Sequence, residues 1–175
     1  RWSFNTPEKF QRMMKGMYRM VSGVDDAVGR LRNQLHKLDL AENTIIIYSS
    51  DNGMFFGERG LSDCWLLYEE SIRVPLIVYD PRARTKIQRG KVRQEMVLNL
   101  DLAPTLLDFA MIKKKPPMDG RSIKSLLSGD ADNLWREDFL CEHLFEHKKI
   151  PKSEGVRSKN WKYIRYFEQD PIYEE

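Results

Sequence analysis

Residues 43–64 read N-T-I-I-I-Y-S-S-D-N-G-M-F-F-G-E-R-G-L-S-D-C, and no other stretch limits the fold as strongly. Ile45 to Tyr48 is a β-branched apolar run, ended abruptly by Ser49, Ser50, Asp51, Asn52 and Gly53. Such a run with polar and glycine punctuation predicts a buried strand. The loop beyond it sets a carboxylate, Asp51, and an amide, Asn52, at the strand's carboxyl end. Ligands bind at that edge in open α/β sheets, and oxygen donors of this kind hold hard cations. Asp-Asn-Gly is also favourable turn chemistry. On the residues alone, the turn is the stronger reading.

The flanking chain predicts a helix on one side and a second strand on the other. Thr6-Pro7-Glu8 combines a hydroxyl cap, proline at the first helical position and an early acid. Apolar residues then recur in steps of three and four from Phe10 to Leu35, which makes one helical face. Met13, Met14, Met17 and Met20 on that face favour core packing over a soft binding surface. Residues 65–71 predict a short helical turn, and Val74 to Tyr79 a strand that Pro75 confines to a start or an edge. Arg82, Arg84, Lys86, Arg89, Lys91 and Arg93 make a basic loop. Glu95 to Leu100 reads as a third strand, and Asp101 opens a helix through Ala110.

Composition shifts after the Lys113-Lys114-Lys115-Pro116-Pro117 run. A turn at Asp119-Gly120 leads into a short helix, Arg121 to Leu127, ending near Gly129. Strand patterns follow at Phe139–Phe145, Gly155–Arg157 and Trp161–Phe167, with Ser158-Lys159-Asn160 as a hairpin turn. The expected class is α/β. Residues 1–112 would be the C-terminal portion of a layered α/β domain, and residues 113–175 a small α+β subdomain with an antiparallel sheet.

Charge narrows the partners. The 29 basic residues nearly balance 26 acidic ones, which gives no footprint for nucleic acid. No apolar run is long enough to cross a bilayer. Cys64 and Cys141 are too few for a disulfide framework and read as two free thiols. The chain opens at Arg1 without Met and closes at Glu175 just past an aromatic-rich stretch, so a fragment of a longer protein is expected.

Several motifs in order carry a resemblance. S-S-D-N-G at 49–53, G-E-R-G-L at 57–61 and Y-E-E-S-I-R-V-P-L-I-V-Y-D-P at 68–81 resemble the C-terminal half of the sulfatases, a family of the alkaline-phosphatase-like superfamily. The likeness continues through L-D-L-A-P-T-L-L-D at 100–108 and D-G-R-S at 119–122, and ends in E-G-V-R-S-K-N-W-K-Y-I-R-Y at 154–166. The flavour is that of bacterial choline-sulfatase and iduronate-sulfatase types. The resemblance implies hydrolysis of sulfate esters by a formylglycine nucleophile, with Ca2+ or Mg2+ holding the sulfate. It places two metal ligands on Asp51 and Asn52. It implies a sulfated small molecule or glycan as substrate, no nucleic acid or membrane partner, and a periplasmic, secreted or lysosomal location. It also implies that this chain contacts a missing N-terminal half, or self-associates, and is inactive alone.

Two departures qualify the resemblance. Neither cysteine lies in a Cys-x-Pro/Ala-x-Arg nucleophile motif, so no catalytic nucleophile is assigned within the chain. Cys64 falls where the family has a sulfate-contacting lysine, and Arg59 where histidine is common. Cys64 is therefore a substrate-binding position by alignment only, and its reading as a nucleophile activated by Arg59 is the weaker one. His143, in E-H-L-F-E-H, is a second substrate-binding candidate, equally readable as a structural histidine. Glu58 and Asp63 read as loop caps rather than an acid–base pair, and Arg157 and Lys162 as solvated hairpin residues. Two alternatives remain: a phosphoester or phosphonate hydrolase of the same superfamily, and a non-catalytic module binding sulfated glycans or a partner chain.

Overall fold

The computed structural model describes residues 5–83, 90–129, 135–167 and 173–174. Arg84, Lys86 and Arg89 of the basic run lie outside the described residues. The chain divides into two compact units. The first comprises Arg1–Cys64 and Glu70–Arg82, the second Trp65–Glu69 and Ala83–Glu175.

In the first unit, α1 spans Pro7–Lys37, and its Thr6 cap accepts a hydrogen bond from the Lys9 N–H at 3.3 Å. The cap, the N1 proline and Glu8 act locally, which is why the helix begins where the sequence predicts. Its apolar face does not form a core, contrary to expectation. No residue of α1 is buried, Met20 is 67% exposed, and Met13, Met14 and Met17 are half-buried. The reason is supply: the sheet of this unit that could cover so long a helix is a two-stranded ribbon. β1 (Ile46–Ser49) pairs antiparallel with β4 (Leu76–Tyr79), in the register Ile46 to Tyr79 and Ser49 to Leu76. Between them lie β2 (Phe55–Phe56), its antiparallel partner β3 (Ser62–Asp63), and α2 (Glu69–Ile72). β4 begins one residue after Pro75, as a missing N–H requires.

The second unit has a polar lock at its centre. The strand expected at Glu95–Leu100 does not form; Asn99–Asp101 is a 3-10 turn leading into α3 (Leu102–Phe109). The chain there is bent around the Asp101 carboxylate, which has 0% exposure. Its oxygens accept from the Leu98 N–H at 2.8 Å, the Arg121 N–H at 2.7 Å and Arg136 Nη2 at 2.7 Å, and pair also with Arg136 Nη1. Thr105 Oγ1 donates to the Asp101 carbonyl at 2.5 Å and accepts from the Ile123 N–H at 3.0 Å. The L-D-L-A-P-T and D-G-R-S motifs are thus two halves of one hydrogen-bonded joint. Gly120 is needed within it, because a Cβ there would lie 1.9 Å from the Leu100 carbonyl oxygen. The short helix α4 (Lys124–Ser128) follows and stops at Gly129, whose φ of 87° suits glycine.

The sheet of this unit runs β5 (Asp138–His143), β6 (Lys152–Ser158), β7 (Lys162–Phe167) and β8 (Tyr173–Glu174), each antiparallel to the next. The β6–β7 turn is closed by the Ser158 N–H on the Trp161 carbonyl at 2.8 Å. Ser153, Gly155, Ile164 and Tyr166 are buried on one face, which holds the core together with Leu67, Ile123 and Leu126. Leu140, Val156 and Tyr163 lie in register on the other face and are exposed.

Candidate functional site

The loop leaving β1 is held by its own small residues. The Asp51 Oδ1 atom accepts from the Asn52 N–H at 2.8 Å and from Ser50 Oγ at 3.3 Å. The Asn52 Nδ2 atom donates to the Gly53 carbonyl at 2.7 Å. These local contacts use one polar atom of each side chain. Among the described residues, Asp51 Oδ2 and Asn52 Oδ1 have no hydrogen-bond partner, and both side chains are exposed. Two adjacent side chains therefore offer free oxygens at the end of β1, a donor set that suits Ca2+ or Mg2+. Calcium takes about six or more oxygens, and among the described residues no group of three or more His, Cys, Asp or Glu side chains could hold a metal.

Ser71 clamps both ends of this loop, a role the sequence reading missed. Its carbonyl accepts the Gly53 N–H at 2.7 Å, and its hydroxyl donates to the Cys64 carbonyl at 2.5 Å. The approach is so close that a Cβ on Gly53 would sit 2.2 Å from the Glu70 carbonyl oxygen. Ser71 is buried within the Y-E-E-S motif, and nothing in the sequence marks that burial.

Between the clamps, Glu58 and Asp63 cap backbone. Glu58 Oε2 accepts from the Phe56 N–H at 2.5 Å, and Asp63 Oδ1 from the Cys64 N–H at 3.0 Å. Arg59 takes a left-handed φ of 55° and lies 3.9 Å from Glu70. The Cys64 thiol is half-buried and donates to Asp63 Oδ1 at 3.4 Å. Burial pushes its pKa up, and the hydrogen bond to Asp63 and the charges of Asp63 and Asp51 push it further. A neutral thiol facing carboxylates is neither a ready nucleophile nor a substitute for a lysine.

His143 belongs to the second unit. Its ring meets Trp65 edge-on at 5.7 Å, and its Nε2 is buried without a hydrogen-bond partner among the described residues. Neighbouring Glu142 points to the opposite, exposed face of the sheet, so the two do not act as a pair. Arg157 and Lys162 are not the solvated residues expected. Arg157 Nε and Lys162 Nζ converge on Glu69 Oε1 at 2.8 and 2.6 Å, and Lys162 also donates to the Leu67 carbonyl at 2.9 Å. Burial raises the Glu69 pKa, but the two cations outweigh it and hold the carboxyl below its usual range. Cys64 and Cys141 are both free.

Residues 57–174 match the family described as N-sulphoglucosamine sulphohydrolase, C-terminal. The N-acetylglucosamine-6-O-sulfatase of Bacteroides thetaiotaomicron is 35% identical over 164 residues, which cover 91% of this chain and 29% of that protein. The chain thus spans under a third of that relative's length. The solved structure of BT4656 in complex with its substrate, D-glucosamine-2-N,6-O-disulfate, superimposes with a TM-score of 0.86 at 34% identity, covering 95% of this chain and 34% of the other. A phosphonate monoester hydrolase from Silicibacter pomeroyi shares the fold at a TM-score of 0.84 and 22% identity, over 97% of this chain and 35% of its own. With its mixed helices and small antiparallel sheets, and with the match centred on a C-terminal domain, this chain belongs to the sulfatase family and has the architecture of the C-terminal part of its alkaline-phosphatase-like fold.

Proposed function

We propose that this chain supplies the C-terminal part of a metal-dependent sulfatase acting on a sulfated saccharide. The supporting observation is the pair of unpartnered oxygens, Asp51 Oδ2 and Asn52 Oδ1, at the tip of β1 in a chain of this family. Asp51 and Asn52 would hold a Ca2+ or Mg2+ ion, the remaining ligands coming from elsewhere in the protein. The bound ion would neutralise the sulfate and the charge developing in the transition state. A formylglycine in the N-terminal part would be the nucleophile. In this chain, Gly53 and Ser71 fix the ligand loop, while Glu58 and Asp63 shape the turn that follows. The saccharide assignment draws on the glucosamine disulfate bound by BT4656. With two oxygen ligands and no nucleophile of its own, the chain by itself is inactive.

Cys64 supports a second reading within the superfamily, phosphonate or phosphoester hydrolysis, because a neutral thiol replaces the cation expected beside a sulfate. The two are separated by assaying the longer polypeptide, with the nucleophile matured, on matched aryl sulfate and aryl phosphonate esters. Faster turnover of the sulfate is expected. Turnover of the phosphonate alone, or of neither, overturns the sulfatase reading.

A further inference from the structure

The four-stranded sheet of the second unit ends at β5, which pairs with β6 and has no strand on its other side among the described residues. An edge strand offers a row of unpaired N–H and C=O groups, which proteins usually blunt with Lys, Pro, a bulge or a cover. β5 reads D-F-L-C-E-H, with no Pro, Gly, Lys or Arg. It pairs with β6 in one unbroken register, Asp138 to Ser158 through His143 to Ser153, so no bulge twists it away. The backbone of β5 is therefore a template for one more strand.

The side chains of β5 select the kind of strand. Asp138, Leu140 and Glu142 lie on the exposed face, and Phe139, Cys141 and His143 are half-buried on the other. Leu140 is 63% exposed and begins the row of Leu140, Val156 and Tyr163 across three strands. An apolar residue added beside Leu140 lengthens that row. Further into the sheet the neighbouring acid is already neutralised, since Glu154 meets Arg165 at 2.5 Å. Asp138 and Glu142, on the edge itself, have no ion-pair partner among the described residues. Opposite charges set directly across a sheet stabilise the pairing, and like charges destabilise it. A matching strand carries Lys or Arg opposite both acids and an apolar residue midway between them. Its intervening residues fall beside Phe139 and Cys141 and are small and uncharged. A second copy of β5 does not fit, because antiparallel pairing about Leu140 sets Asp138 against Glu142 at both ends.

We propose that the free edge of β5 docks an extended segment of another polypeptide, of the pattern basic–x–apolar–x–basic, as a further strand of this sheet. Main-chain hydrogen bonds hold the segment, and Asp138, Leu140 and Glu142 choose it. The site uses neither the metal loop nor an ester, so it stands or falls independently of the sulfatase reading.

The test is calorimetric titration of the full chain at low salt, where surface charge pairs are least screened. The probe is a synthetic polythreonine nonapeptide with Lys, Val and Lys at alternate central positions; the control has Glu for both Lys. The Lys peptide is expected to bind about tenfold more tightly or better, because two cross-strand pairs turn from attraction to repulsion in the control. Hydrogen exchange at the β5 amides should slow when it binds. D138K/E142K should reverse the preference and favour the Glu peptide. Across the sheet these positions face Ser158 and Glu154, so the variant meets no like charge on β6 and should keep the parent circular dichroism spectrum. No binding of the Lys peptide, equal affinity for both peptides, or an unreversed preference in D138K/E142K overturns the proposal. Binding that leaves β5 exchange unchanged overturns strand addition. Protection of β5 that grows with chain concentration in the absence of peptide places a second copy on the edge and also overturns it.

Discussion

Arg136 grips Asp101 through both terminal guanidinium nitrogens, Nη2 on Oδ1 at 2.7 Å and Nη1 on Oδ2. The carboxylate has 0% exposure and the arginine side chain 11%. Removing one partner leaves an uncompensated buried charge, which costs about 3–5 kcal/mol. Arg136→Ala should therefore destabilise the second unit on that scale in urea unfolding. Asp101→Asn should cost on the same scale, because it leaves Arg136 unpaired and sets an NH2 group against N–H donors.

The same carboxylate makes stability pH-dependent. Burial raises the Asp101 pKa, but Arg136 and the N–H groups of Arg121 and Leu98 outweigh it and hold it below the usual carboxylate range. The unfolded chain therefore takes up the proton first as pH falls. This contribution is fully present above the unfolded pKa of about 4 and is lost as pH drops through the lower folded value. Urea midpoints should fall below about pH 4 in the parent and fall less steeply in Asp101→Asn.

Glycine substitutions should separate contact from propensity. At Gly53 and Gly120 an added Cβ meets backbone oxygen at 2.2 and 1.9 Å, and backbone cannot swing aside. Gly53→Ala and Gly120→Ala should each cost about 1–3 kcal/mol or more. At Gly23, inside α1, a Cβ meets nothing within 4 Å. Gly23→Ala should stabilise by roughly 0.5–1 kcal/mol. Thermal unfolding of the three variants checks the contrast.

Both thiols should react slowly. Burial raises the pKa of Cys64 and of Cys141, and Asp63 adds to the effect at Cys64. Since the thiolate is the reactive form, iodoacetamide should label both more slowly at pH 7.5 than it labels a free cysteine. Urea should restore the ordinary rate. Fast labelling of native Cys64 would show an activated thiol instead.

Local signals were legible in the sequence and remote ones were not. The Thr6 cap, the strand start after Pro75 and the turn at Ser158 are set by neighbours in the chain, and the structure has each where expected. Glu95–Leu100 has a strand-like composition, but a carboxylate bound by an arginine 35 residues away bends it. Arg157 and Lys162 read as solvated because their partner, Glu69, lies 88 residues from Arg157 in the chain. The apolar face of α1 reads as a core face, yet none of its residues is buried. At the loop, the sequence shows Asp51 and Asn52 as adjacent oxygen donors, whereas the Ser71 clamp needed coordinates.

Calcium-dependent turnover of an aryl sulfate by a longer polypeptide that contains this chain and the proposed nucleophile bears most directly on the proposed metal role of the β1 loop. Asp51→Ala should lower kcat/KM at least about 100-fold, and Asn52→Ala should lower it less, with partial recovery in excess calcium. Parent-like turnover and calcium affinity in Asp51→Ala would contradict the assignment of the β1 loop as a metal site.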